Sequence, residues 1–126
     1  MLIVEDDYLL LRLYEDLYQP PDWHTVMVDN AMEGILEVGL HSPELIILDL
    51  HLPFYDGTHV LKALRANAKT YEIPVIVVSG AYRRDHPLVV NLHKVDYFEK
   101  VGLDWDALLN ASMLYAHVCR LRQEKT

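Results

Sequence analysis

The sequence predicts an α/β fold in which helices cover both faces of a parallel sheet. Short apolar runs alternate along the chain with longer segments whose apolar residues recur at helical spacing. Two of the runs, "LIILDL" and "PVIVVS", are apolar almost throughout, which is typical of strands buried on both faces. Strands of this kind, separated by helices, indicate a parallel sheet between two helical layers.

Five short strands are predicted. The first is the apolar run that follows Met1, and the most apolar is the third, from Leu45 to Leu50. The fifth is marked only by the aromatic pair Tyr97–Phe98. The predicted strands cover residues 2–4, 23–28, 45–50, 74–79 and the neighbourhood of 97–98.

A helix is predicted after each strand. Pro20–Pro21 and Ser42–Pro43 are expected to end the first two helices, Pro87 suits the first turn of the fourth, and Asp104 suits the N-cap of the last. The predicted helices cover residues 8–18, 31–40, 59–65, 87–95, and from 104 past Cys119. The side chains predicted to face the core are Leu10, Leu13, Leu17, Ile35, Val38, Val60, Leu61, Leu64, Leu108, Ala111, Tyr115 and Val118.

Length and composition indicate one ordinary globular domain. The 126 residues are 52% hydrophobic and 24% charged, and no apolar run approaches the length of a membrane span. The single Cys119 excludes an internal disulfide, so a cytoplasmic location is expected. A net charge of −8 argues against a nucleic-acid partner. We expect one domain over residues 1–126 with no output domain, either as a stand-alone protein or as part of a larger one.

Chemically capable residues stand where four of the predicted strands end. The first strand ends on Glu5-Asp6-Asp7, the third on Asp49, the fourth on Ser79-Gly80 and the fifth on Lys100. Sites in open parallel sheets form at these carboxyl ends. Grouped carboxylates repel one another, and a hard divalent cation such as Mg²⁺ resolves that repulsion. With a lysine and a hydroxyl beside them, these residues predict a phosphoryl site in which a carboxylate is the covalent acceptor.

Each of these residues also has a plain structural interpretation. Asp7 alone, or Asp56 before a glycine, is more often a helix N-cap or a turn residue. Ser79 alone is more often a loop hydroxyl, Lys100 a solvated surface residue and Tyr97 a half-buried strand aromatic. The joint placement at consecutive strand ends is what favours the functional interpretation.

With these segments in order, the chain resembles the receiver domain of two-component response regulators over essentially its whole length. The segment "LIVEDD" resembles the first strand and acidic pair of that family, and "AMEG" resembles the start of its second helix. The segment "PELIILDLHLPFYDG" resembles the phosphoacceptor segment, with Pro53 and Gly57 at the expected offsets. The segments "IPVIVVSGA" and "DYFEK" resemble the fourth and fifth strands.

The resemblance implies a flavodoxin-like, doubly wound sheet of order 2-1-3-4-5 with five helices on its two faces. It implies that Asp49 is phosphorylated by a sensor histidine kinase or a histidine phosphotransfer protein. It also implies a Mg²⁺ or Mn²⁺ ion bound by Asp6, by Asp49 and by the backbone carbonyl of His51, with Glu5 acting through water. The protein would then be a phosphoacceptor that catalyses at most its own phosphotransfer and dephosphorylation.

The resemblance assigns the remaining residues to charge neutralisation and switching. Lys100 would pair with Asp49 and then with the phosphoryl group, and Ser79 would move to hydrogen-bond that group. Gly80 would leave room for it, and Tyr97 would turn inward as Ser79 is drawn in. The signal would pass to an output domain or partner outside this chain, without nucleic acid or membrane. A homodimer through the fourth helix, fifth strand and fifth helix is compatible with the sequence.

The chain departs from the family pattern at three places. Val101 replaces the usual cis proline after the lysine, so a trans Lys100–Val101 peptide and a rearranged loop are expected, because a non-proline cis bond costs about 3 kcal/mol. The resemblance places the His51 side chain at the mouth of the site, where it would shield the site or orient water, or else have no role. The small-Gly turn before the fifth strand is missing, so Asn91 or Lys94 must form that turn.

Two other functions remain open on the sequence. Val101 is compatible with a degenerate receiver that keeps the fold as an interaction module and no longer uses phosphate. An aspartyl-phosphate hydrolase of the haloacid dehalogenase type needs a second aspartate two residues after its nucleophile. His51 occupies that position here, which disfavours the hydrolase.

Overall fold

The protein is described from a computed structural model covering residues 1–54, 56–80 and 94–124, with side chains described as far as Val118. Its five strands form one parallel sheet of order β2-β1-β3-β4-β5, which confirms the predicted fold and strand order. The strands are β1 (Leu2–Val4), β2 (Val26–Val28), β3 (Ile46–Leu48), β4 (Val75–Ser79) and β5 (Val95–Glu99).

Four helices lie in the part of the chain that the structure describes: α1 (Tyr8–Leu17), α2 (Ala31–His41), α3 (Gly57–Ala66) and α4 (Trp105–Glu124). The helix predicted over 87–95 falls outside the described residues up to residue 93. At its end the prediction is wrong, because Lys94 forms a turn and Val95 opens β5. None of the described helices combines the length and the apolar character needed to cross a bilayer.

Side-chain N-caps position all four helices. Asp7, Asn30, Asp56 and Asp104 each accept a hydrogen bond from a backbone N–H in the first turn of the helix that follows. These bonds satisfy N–H groups that would otherwise lack an intrahelical partner. The structural interpretation of Asp7 and Asp56 is therefore confirmed, and so is the predicted N-cap at Asp104.

The core consists of two layers separated by the sheet. Alternate residues of each strand point to opposite faces. On one face, Leu2 and Val4 pack with buried residues of α2 and α3. On the other face, Ile3 packs with Tyr14 of α1, with Tyr18 at the C-cap of that helix and with Leu108 of α4. This burial on both faces explains why the central strands are apolar throughout.

Three predicted core positions are wrong. Leu13, Ile35 and Val118 are exposed, whereas Val38, Val60, Leu61, Leu64 and Leu108 are buried as predicted. On α1 the fully buried residue is Tyr14, joined by Tyr18 at the C-cap, while Leu10 and Leu17 of the predicted stripe are partly buried against the same cluster. On α4 the buried face carries Ser112, whose hydroxyl forms a 2.7 Å hydrogen bond with the Tyr18 hydroxyl. Small residues face inward on α2, where a Cβ on Gly34 would lie 3.0 Å from Val4 Cγ2.

The turn into β5 is formed by Lys94, one of the two residues predicted for it. Lys94 has a φ of 53°, a left-handed conformation that a glycine would adopt without strain. The Arg65 guanidinium holds this turn by donating to the carbonyls of Thr70, Ile73 and Lys94 at 3.3, 2.8 and 3.3 Å. A cation from α3 thus stabilises the backbone at the start of β4 and β5.

Gly57 lets α3 begin directly against the end of β3. Its N–H donates to the Leu50 carbonyl at 2.8 Å. A Cβ at this position would lie 2.3 Å from the Asp49 carbonyl oxygen and 2.7 Å from Leu50 Cα. Any side chain here would push the helix away from the loop that carries Asp49.

We expect Gly57→Ala to lower the free energy of unfolding by about 2 kcal/mol, because its methyl group would overlap backbone that cannot move aside. Gly39→Ala is the matched control, since a Cβ on Gly39 of α2 would meet no described atom within 4 Å. The control should raise stability by about 0.5–1 kcal/mol. Urea unfolding monitored by circular dichroism measures both. Equal effects of the two substitutions would contradict the close approach at Gly57.

Candidate functional site

The site forms at the carboxyl edge of the sheet, where the ends of four strands bring their polar residues together. Glu5 follows β1, Asp49 follows β3, Ser79 closes β4 and Lys100 follows β5. The parallel register aligns these ends, with Val4 paired to Leu48 and Ser79 paired to Glu99. The structure therefore brings together residues that are far apart in the sequence, as the strand-end pattern predicted.

The Lys100 ammonium holds two buried carboxylates. Its Nζ lies 2.8 Å from Asp49 Oδ2 and 2.7 Å from Glu5 Oε1. Glu5 is only 2% exposed and Asp49 only 3%. Buried carboxylates are costly without a partner, so one lysine here stabilises two acidic groups at once.

Lys100 reaches this position although Val101 follows it. The Lys100–Val101 peptide is trans, as expected from the sequence. The Val101 side chain is exposed, and Gly102 turns the chain with a φ of 69° before α4 begins. The lysine is held by its strand, since its backbone N–H donates to the Ser79 carbonyl at 3.3 Å.

The two buried carboxyls differ in their affinity for protons. The pKa of Glu5 is raised to about 8, because burial and the neighbouring Asp49 together outweigh the opposing effect of Lys100. Burial also acts to raise the pKa of Asp49. Its contacts with Glu5, with the Lys100 ammonium and with the His51 N–H outweigh burial and lower that pKa overall. The pKa of Lys100 is raised, because the two acidic groups outweigh its own burial. At neutral pH, Asp49 is thus the ionised carboxylate.

Glu5, Asp6 and Asp49 form a group of oxygen donors that suits a hard divalent cation. Each offers one carboxylate oxygen, and these oxygens all lie within 4.8 Å of one another. Among the described residues, Glu5 Oε1 has the Lys100 ammonium 2.7 Å away, and the buried Glu5 Oε2 has no hydrogen-bond partner. Asp6 is exposed and gives the group an opening to solvent. Carboxylates with an open side are the arrangement that Mg²⁺ uses when it retains part of its water shell.

His51 contributes its backbone to the site. Its N–H donates to Asp49 Oδ1 at 3.0 Å, while Lys100 holds the other carboxylate oxygen. The imidazole is exposed and lies in the loop directly after Asp49. The carboxylate plane of Asp49 is therefore fixed at both oxygens, a constraint that the sequence did not predict.

Ser79 and Tyr97 are buried and connected through one carbonyl. Ser79 closes β4 without exposed surface, and Tyr97 lies in β5 with 3% of its surface exposed. The Tyr97 hydroxyl donates to the Ser79 carbonyl at 2.9 Å, beside the Lys100 N–H that donates to the same oxygen. The tyrosine ring thus points inward, against the same backbone that carries the serine.

Gly80 is exposed at the end of β4. A Cβ built on it would meet no atom of the described residues within 4 Å. The role that the resemblance assigns to Gly80, space for a bound group, stays a prediction.

The sequence did not identify Tyr14 as a residue beneath the site. Its ring is buried on the α1 side of the sheet and packs edge-on against Trp105 with ring centroids 5.8 Å apart. Burial raises its pKa far above the ordinary value, and the charges of Glu5 and Asp49 act in the same direction. One sequence signal for this residue is that Tyr14 and Tyr18 are four residues apart, a spacing that places both side chains on the same side of a helix. The leucines of the same segment predict a competing apolar stripe.

Comparison with known proteins agrees with this geometry. The receiver domain model of response regulators matches residues 1–109. The polar-differentiation response regulator DivK of Brucella anthropi is 34% identical over 80 residues, which are 64% of this chain and 65% of that relative.

Among solved structures, the receiver domain of a putative Luxo repressor protein from Vibrio parahaemolyticus superposes with a TM-score of 0.84 at 29% identity, over 97% of this chain and 92% of that one. The phosphorylated cyanobacterial phytochrome response regulator RcpA superposes with a TM-score of 0.69 at 28% identity, over 87% and 85% of the two chains. The chain therefore belongs to the response regulator receiver domain family of two-component signalling.

Proposed function

We propose that this receiver domain accepts a phosphoryl group on Asp49 in a Mg²⁺-dependent reaction, with a histidine kinase or a histidine phosphotransfer protein as the donor. The observation that carries the proposal is the environment of Asp49, which is a buried, ionised carboxylate. Lys100 holds one of its oxygens, and Glu5 and Asp6 lie beside it. A solved relative, RcpA, is described as phosphorylated, which supports the same chemistry here.

Asp49 is suited to act as the nucleophile. A carboxylate oxygen of Asp49 attacks the phosphorus of a phosphohistidine, the new O–P bond forms, and the P–N bond breaks. The electron pair of that bond remains on the imidazole of the donor. Phosphoryl transfer depends mainly on positioning and on neutralising the oxygens of the transferred group. The rigid end of β3 and the hydrogen bonds to both Asp49 oxygens supply the positioning.

The negative charge of the phosphoryl oxygens would be neutralised by a divalent cation and by Lys100. When bound, a divalent cation would supply positive charge to the phosphoryl oxygens. Asp6, Asp49 and the His51 carbonyl would hold that cation, and Glu5 would act through a water molecule. Lys100 already lies against Asp49, and it would transfer its contact to a phosphoryl oxygen once Asp49 is esterified. Ser79 would donate its hydroxyl to another of these oxygens.

The signal would leave the site through Ser79 and Tyr97. Because both the Tyr97 hydroxyl and the Lys100 N–H bind the Ser79 carbonyl, a movement of Ser79 changes the packing of the tyrosine. The inward Tyr97 seen here would be the conformation that phosphorylation favours. Such a switch needs only a difference in stability between two arrangements of the same residues.

The wider setting extends this proposal. The kinase and the output would lie outside this chain, and the domain would act in the cytoplasm as a phosphoacceptor rather than as a turnover enzyme. The predicted homodimer surface includes the segment 87–95, most of which lies outside the described residues, so dimerisation stays a prediction.

Acetyl phosphate with Mg²⁺ should add one phosphoryl group to the protein, because Asp49 provides the nucleophile and is one of the ligands proposed for Mg²⁺. Asp49→Asn should abolish the addition. Asp56→Asn is the matched control, since Asp56 caps α3 through Thr58 N–H and asparagine caps equally well. Intact-mass spectrometry and hydroxylamine lability measure the product. Equal labelling of Asp49→Asn and the parent would show that another residue is the acceptor.

Lys100→Met should lower the free energy of unfolding by about 2 kcal/mol without metal, because it leaves two buried carboxyls without a cation. Added Mg²⁺ should then raise the melting temperature of this variant more than that of the parent, since the ion replaces the lost charge. Lys69→Met, at an exposed position, is the control. If Lys100→Met is as stable as this control, the lysine does not stabilise the acidic pair.

Asp6→Asn should weaken Mg²⁺ binding at least tenfold, about the minimum effect of losing even a second-shell partner. Asp7→Asn should leave the affinity within about twofold, because Asp7 caps α1 and asparagine retains the cap. Isothermal titration calorimetry measures both. Absence of saturable Mg²⁺ binding in the parent would favour the alternative function, an interaction module that does not use phosphate.

A further inference from the structure

Helix α2 is apolar on two opposite sides. It buries Ala31, Gly34 and Val38 against the sheet. Its outward side exposes Met32, Leu36 and Leu40, at 54%, 61% and 72% of their surfaces. A surface helix of a globular protein normally places its large apolar residues inward and polar residues outward. Here the small residues face the core, and the large ones, four residues apart, form a stripe toward solvent.

Phe54 continues this stripe toward the phosphorylation site. Its side chain is 99% exposed, and its φ of 67° is a left-handed conformation that is strained for an aromatic residue. Phe54 and Met32 line a common cavity of about 350 Å³, and Asp6 lines the same cavity. We call Phe54, Met32, Leu36 and Leu40 the α2 strip. Contiguous exposed apolar surface of this kind marks interaction sites.

The rim of the α2 strip is acidic. Asp6 and Asp29 lie at its Phe54 end, and Glu33 and Glu37 lie along α2. In the described part of α2 the only basic side chain is His41, which lies 3.8 Å from Glu37. The whole protein carries a net charge of −8. A second copy would bring the same acidic rim and the same net charge, so repulsion opposes a homodimer here.

The charge and shape of the α2 strip favour one class of binding partner. We propose that the α2 strip is the docking site for an amphipathic helix of a partner protein, with an apolar stripe flanked by lysines and arginines. Met32 to Leu40 spans about 12 Å of helix, which two to three turns of a partner helix would cover. Gly39 lies between Leu36 and Leu40 in open space, so a helix backbone can approach closely there. The binding does not depend on phosphorylation of Asp49.

The test uses a synthetic helical peptide that has a leucine stripe flanked by lysines, with a leucine–glutamate peptide of the same pattern as control. Fluorescence anisotropy measures the affinity, and amide chemical shifts of ¹⁵N-labelled protein locate the bound peptide. The Leu36→Ser, Leu40→Ser double variant should bind the lysine peptide at least tenfold more weakly. Leu114→Ser is the matched control, because Leu114 is equally exposed, at 62%, on α4. This control should bind within about twofold of the parent.

The possible results distinguish a basic partner helix from a second copy of this protein as the occupant of the α2 strip. Shifts at α2 and Phe54, lost in the double variant and kept in Leu114→Ser, support the proposal. Equal binding by all three proteins, or shifts centred on α1 or α4, overturns it, as does equal affinity for the glutamate peptide. Sedimentation that shows a dimer dissociated by the double variant overturns it in favour of a second copy. Asp49→Asn should bind the lysine peptide as the parent does, so failure of the phosphorylation proposal is recognised separately.

Discussion

The contact of the Lys100 ammonium with Glu5 and Asp49 is the interaction on which the rest of the site depends. An ionised carboxylate at the edge of a buried sheet is costly unless a positive charge lies against it. The lysine supplies that charge from the neighbouring end of β5, at 2.7 and 2.8 Å. It leaves Asp49 ionised while burial keeps the pKa of Glu5 raised. An ionised carboxylate and a cluster of acidic side chains thereby coexist in one folded state.

The sheet and its loops turn this contact into a fixed geometry. β3 is buried on both faces, so the backbone before Asp49 cannot shift without opening the core. Gly57 allows α3 to start against the Asp49 carbonyl, and the His51 N–H orients the side chain. On the other side, the Ser79 carbonyl accepts hydrogen bonds from the Lys100 backbone N–H and from the Tyr97 hydroxyl. The Ser79 carbonyl therefore connects the end of β4 to β5 beside Asp49.

The strand-end pattern was sufficient to predict a parallel sheet and the meeting of Glu5, Asp49, Ser79 and Lys100, because parallel strands align their carboxyl ends. The strand order followed only from the resemblance to receiver domains. Helix faces were harder to predict from residue types. Leu10 and Leu17 pack against the core, but Leu13 is exposed, and the fully buried positions are Tyr14 and Tyr18. A tyrosine can bury its ring and still satisfy its hydroxyl, as Tyr18 does with Ser112. Contacts between segments that are far apart in the chain could not be predicted, because they leave no local pattern in the sequence. The hydrogen bond from the Arg65 guanidinium to the Lys94 carbonyl is the clearest case.

The central claim is that Asp49, the acidic cluster and Lys100 form one phosphoryl site. A crystal structure of the protein with Mg²⁺ and beryllofluoride, a phosphoryl mimic, tests it most directly. The account predicts beryllium bound to an Asp49 oxygen, the metal ligated by Asp6, Asp49 and the His51 carbonyl, and fluorides contacting Lys100 and Ser79. Beryllofluoride absent from Asp49, or a metal bound away from Asp6, would contradict it.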